Sequence, residues 1–148
     1  MPKWFIISVG VMLLTIGFAK CFNVLGGPIP EQHLLRIPDP ILSIRFGQLM
    51  LLVGIIEVSI AIVCLLTDLR EIALALVAWM AVNFMLYRIG LWLIGWQHPC
   101  GCLGYLTVVL HIPPRMAEWI SRGIIAYMAL GSYVFLFGKE RKPAIKPA

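Results

Sequence analysis

Cys100 and Cys102 stand one glycine apart in the stretch WQHPCGCLGYL, with His98 and Pro99 just ahead of them. Two thiols at this spacing can carry out thiol–disulfide chemistry. Residues two apart lie roughly 5.5–7 Å apart at Cα, which overlaps the usual disulfide range of about 4.4–6.8 Å. Gly101 gives the backbone the freedom that so small a ring demands. A ring this tight is strained, and strained disulfides are readily reduced. The pair therefore reads as an exchange site more than a staple. His98 is the candidate tuner, because an imidazolium beside a thiol favours the thiolate. Two other readings stay open. Cysteine is an ordinary small hydrophobe in apolar proteins, so a turn can hold two without chemistry. His98 and His111 could also complete a four-ligand set with the cysteines. Their spacing does not match zinc signatures, and no metal site is expected.

The elements that must position this pair are apolar. Of the 148 residues, 61% are hydrophobic and only 13% charged. A soluble domain of this size could not hide so much apolar surface, which points to a bilayer as the solvent. Four runs, residues 4–25, 41–66, 72–96 and 116–137, are each long enough to cross it as helices. None shows the strict alternation of a strand. The expected fold is an all-α integral membrane four-helix bundle over residues 1–138, with a basic, proline-broken tail at 139–148. The proline-rich stretch NVLGGPIPEQHLLRIPDP reads as an ordered loop, and TDLRE as a tight polar hairpin. The first run is too long for a signal peptide and lacks a small-x-small cleavage site. Lys20 before Cys21 also rules out a lipoprotein site, so the run is expected to be a retained anchor.

The net charge of +5 does not indicate nucleic-acid binding, because the basic residues form no stripe with interleaved aromatics. Lys139, Arg141, Lys142 and Lys146 cluster beyond the last run, a pattern suited to an anionic lipid surface. With Lys3 and Arg70 they make six basic residues on one side, against Arg36, Arg115 and Arg122 on the other. The positive-inside rule then makes both termini cytoplasmic and turns the two long loops outward. In a bacterium the Cys-Gly-Cys would face the periplasm, where disulfides persist.

Ionisable residues inside spans are costly and mark sites. Glu57 is expected roughly 20 Å below the outer boundary of its helix, with Asn83 at similar depth and Arg88 about 8 Å higher. Glu57 is expected to hydrogen-bond Asn83 or pair with Arg88. A clasp between helices is the favoured reading, and a proton relay the rival. Lys20 and Arg45 are expected to snorkel to the surface. Cys21, near the outer end of the first helix, is a candidate resolving thiol, with a packed small residue as its alternative. Cys64, near the opposite end of the second helix, has no role. Trp4, Trp92, Trp96 and Trp119 sit near span boundaries, as interfacial anchors do, while Trp79 does not.

The sequence GFAK closing the first helix, GQLMLLVGIIEVSIAIVCLL in the second and CGCLG after the third resemble the MauE-like branch of the DoxX-like four-helix membrane proteins. Members carry an intramembrane glutamate in the second helix, a C-x-C-[FL]-G motif after the third, and an arginine near the start of the helix that follows. Glu57, Cys100, Cys102, Gly104 and Arg122 occupy those places, and the resemblance runs from about Gly17 to Gly138. The chain departs from the pattern in Leu103, where phenylalanine is common, and in its long YLTVVLHIPP linker. The resemblance implies a bacterial inner-membrane protein linked to periplasmic thiol–disulfide exchange. Its namesake is needed to mature the disulfide-rich small subunit of methylamine dehydrogenase. The implied partners are a periplasmic substrate protein or oxidoreductase, and other membrane subunits. Two further readings come with the resemblance: a non-catalytic subunit of a larger complex, or a quinone-reactive subunit with quinone as cofactor. Whether the pair is catalytic stays open at the level of sequence.

Overall fold

The computed structural model describes residues 3–26, 36, 38–67, 69–95 and 111–137. Four helices follow in order: α1 (Lys3–Leu25), α2 (Phe46–Leu66), α3 (Arg70–Leu93) and α4 (Pro114–Phe137). All four are long and apolar enough to cross a bilayer. Among the described residues the extended pairing is limited to one bridge, between Pro38 and Arg45. The all-α membrane bundle read from the sequence is the fold observed. Phe18, Leu52, Leu86 and Leu130 stay exposed on the outer faces. In lipid such faces need no cover, and a helix satisfies its own backbone polar groups.

The boundaries differ from the expected ones for local reasons. The second span begins at Phe46 rather than at residue 41, because residues 38–45 form a tight hairpin. Asp39 Oδ1 accepts the N–H groups of Ile41 and Leu42, each at 2.9 Å. The Asp39 N–H donates to the Ile44 carbonyl at 2.7 Å, and Ser43 takes a φ of 55°. These bonds and the left-handed Ser43 close residues 38–45 into a turn, so regular helix begins only after Arg45. The third span starts at Arg70 and stops at Leu93, short of residue 96, as Gly95 turns out of the helix with a φ of 70°. The last begins at Pro114, where a missing N–H has no intrahelical acceptor to lose.

The helices alternate in direction. Lys3, Leu66, Arg70 and Phe137 come to one end of the bundle, and Leu25, Phe46, Leu93 and Pro114 to the other. The packing is in two pairs, α1 along α2 and α3 along α4. Val9, Leu13, Ala61, Leu74, Val77 and Met128 join the pairs in a common core. The α1–α2 seam is built on absent side chains. A Cβ on Gly17 would lie 2.9 Å from the Gly54 carbonyl oxygen and 3.0 Å from Glu57 Cβ. A Cβ on Gly54 would lie 2.9 Å from Cys21 Sγ and 3.1 Å from the Gly17 oxygen. Lipid tails give helices no hydrophobic reason to associate, so close backbone packing of this kind holds them together. At the end that holds Lys3, α1 meets α4 through Phe5. Its ring lies against Gly131 and tilts against Tyr127 and Phe135, with centroids 5.3 and 5.2 Å away.

Replacing Gly17 with valine should force α1 and α2 apart and cost about 1–3 kcal/mol, the usual range for overpacking. Gly123 faces open space, so Gly123→Ala should stay within about 0.5 kcal/mol of the parent. Unfolding of both variants in the same detergent checks the contrast.

Candidate functional site

The glycine seam positions two deeply buried charges. Lys20 lies one helical turn after Gly17, and Glu57 one turn after Gly54. Because the two helices run in opposite directions, these charges lie one turn to either side of the glycine contact, and each side chain tilts toward the N-terminus of its own helix and so toward the other. Lys20 Nζ donates to Glu57 Oε1 in an ion pair whose side chains are 4% and 1% exposed. Lys20 therefore turns inward instead of snorkelling. Arg45 stays exposed at the mouth of α2.

The expected partners of Glu57 are placed differently. Asn83 is exposed, and its Nδ2 donates to the Trp79 carbonyl at 2.7 Å, one turn back on its own helix. Arg88 is half-buried and reaches α4, where Nη1 donates to Ser121 Oγ at 3.3 Å. The reason is the face of its helix on which each residue lies. Glu57 is the eleventh residue beyond the start of α2, about 16 Å along the helix. The lysine across the seam reaches it there, whereas Asn83 points away from the bundle. The glutamate is thus held in an interhelical clasp, but by Lys20.

Around this pair lies a cavity of about 30 Å³ between the two helix pairs. Lys20, Glu57, Phe84, Tyr87, Arg88 and Ser121 supply its polar and aromatic lining. Lys20 Nζ stands 5.2 Å from the centroid of the Phe84 ring, a cation–π contact. Leu13, Ile16, Ile125 and Met128 close the rest with apolar surface. Tyr87 ties the cavity to the hairpin outside it. Its hydroxyl donates to Asp39 Oδ2 at 2.5 Å, and Ile41 covers Gly90 one turn away. Asp39 is 2% exposed, so its carboxylate is spent entirely on the hairpin amides and this tyrosine. Sequence reading missed both Lys20 as the partner of Glu57 and Asp39 as a latch. The signal for the first was present: a glycine three residues ahead of an ionisable group in each of two adjacent helices.

The two free thiols described lie at opposite ends of the same seam. Cys21 is half-buried with Sγ packed over Gly54, and Cys64 is buried near Gly10. Arg122, one of the positions carrying the family resemblance, is exposed and pairs with Glu118 at 2.5 Å. It also stands 5.7 Å from the Trp119 ring. His98, Cys100 and Cys102 lie outside the described residues. His111 is exposed with a φ of 49°. Among the described residues no cluster of three or more histidine, cysteine or acidic side chains is set to hold a metal.

Fold and site together define a multi-pass membrane protein whose helices close over a buried lysine–glutamate pair. Compared with known proteins, the chain matches no family model, no curated protein and no solved structure. The resemblance to the MauE-like branch accordingly rests on the residues that carry it.

A buried ion pair contributes little net stability, but removing one member leaves the other uncompensated. Lys20→Met should therefore cost about 3–5 kcal/mol, while Lys20→Met combined with Glu57→Leu should recover most of the loss. Tyr87→Phe should cost about 1–3 kcal/mol by stranding the buried Asp39 carboxylate. Equilibrium unfolding of the three variants in detergent reads both effects.

Proposed function

We propose that this protein is a bacterial inner-membrane four-helix protein that exchanges thiol–disulfide equivalents with a periplasmic partner through Cys100 and Cys102. One observation carries the reading. Gly95 and His111, which flank the segment holding the pair in sequence, lie at the bundle end toward which α1 carries Cys21, and the cavity opens below that end at Lys20 and Arg88. The polar side chains of the cavity thus lie between that end and mid-span. The Lys and Arg count turns that end outward. Cys64 lies at the other end.

Maturation of a partner would run as follows. A partner thiolate attacks the Cys100–Cys102 disulfide, forming a mixed disulfide and releasing one thiolate of the pair. A second partner thiolate then attacks the mixed disulfide. The partner leaves with a disulfide, and the two electrons and two protons stay on Cys100 and Cys102 as a dithiol. His98 lies two residues from Cys100 and would favour the thiolate that departs. Cys21 Sγ is packed against Gly54, which favours a structural role for it over that of a resolving thiol.

Trapping in intact cells with a membrane-impermeant maleimide tests sidedness and redox state together. Cys100 and Cys102 should label from outside only after reduction. Cys100→Ser and Cys102→Ser should each abolish the mixed disulfide with the partner, because neither variant can form the bridge that the partner thiolate attacks. Labelling only after lysis would overturn the outward placement, and unchanged partner maturation in both variants would overturn the exchange role.

A further inference from the structure

The cavity beside the ion pair carries a second inference, independent of the cysteines. Glu57 is 1% exposed, and its Oε1 is taken by Lys20. Its Oε2 is buried with no hydrogen-bond partner among the described residues. An unsatisfied buried acceptor costs about 1–3 kcal/mol, more when charged, and native proteins rarely leave one so. Glu57 lines the cavity. The lining also holds Arg88, which gives one hydrogen bond to Ser121 and has further N–H groups to donate.

These groups fix the chemistry of what fits. A free anion would satisfy Arg88 but oppose the open carboxylate oxygen. A cation would satisfy Glu57 but face Lys20 and Arg88. A neutral group that donates one hydrogen bond and accepts another suits both, and a hydroxyl is the smallest such group. The cavity, at about 30 Å³, exceeds the roughly 10–15 Å³ that a single water needs. A cavity that takes a benzene ring measures about 150 Å³, so this space fits water-sized groups and no aromatic ring. We propose that this cavity is a hydroxyl-binding site, in which the bound group donates to Glu57 Oε2 and accepts from Arg88. The hydroxyl is that of water held inside the bundle.

Met128 lines the cavity and is fully buried, so its methyl group is the reporter. The full chain, labelled with ¹³C-methyl methionine, would be studied by NMR in lipid nanodiscs. A water cross-peak at the Met128 methyl supports the site. Glu57→Gln should weaken that cross-peak through loss of the charged acceptor. Lys20→Met/Glu57→Leu, designed to keep the fold, should abolish it. The proposal falls if the Met128 methyl sees no water. It falls equally if the double variant leaves the signal unchanged.

Discussion

The contact of two bare backbones at Gly17 and Gly54 is the constraint on which the rest of the bundle depends. It lets α1 and α2 approach until a Cβ on either glycine would strike the opposite helix. That approach brings Lys20 to Glu57, because the charges flank the glycine contact on antiparallel helices and their side chains tilt toward each other across it. Without the seam, a glutamate about 16 Å along α2 would have no cation within reach on α1. The ion pair in turn sets the cavity, since both partners line it. Packing comes first and electrostatics follow. This order suits a bilayer, where close packing supplies the attraction and a lone charge is expensive.

The two ends of the bundle are held by different physics. Toward Lys3 the contact between α1 and α4 is aromatic, with Phe5 among Tyr127 and Phe135, and Ser8 Oγ and the Tyr127 hydroxyl 2.9 Å apart. Toward Leu25 the contacts are polar: Lys20 with Glu57, Arg88 with Ser121, and Tyr87 with Asp39. The cavity lies among the polar contacts and reaches the core at Leu13 and Met128. The Asp39 hairpin sits beside it and is joined to α3 through one hydroxyl.

Much of this was legible in the sequence. Hydropathy and length alone yield four spanning helices, because lipid removes most of the alternatives a soluble chain would have. Glu57 and Arg88 stand out because charges in a span are rare. The partners were harder to read. Depth along a helix can be counted from sequence, but the rotational face depends on which neighbour packs where. So Asn83, at a fitting depth, points outward, and Lys20, taken for a surface residue, points in. The start of α2 was misplaced for a different reason. Ile41, Leu42 and Ile44 look like helix to a hydropathy scale, whereas the turn closed between Asp39 and Ile44, with Ser43 left-handed, settles the local backbone.

Phe5 and Gly131 show how far such packing binds distant parts of the chain. The ring of one helix occupies the space where a side chain on the other would stand. The two positions share a single volume, divided wholly in favour of the first. A larger residue at 131 therefore requires a smaller one at 5, whatever its own preference for helix or lipid. Near-opposite ends of the sequence are thus inherited as one unit, and homologues of this chain should vary there in concert or not at all.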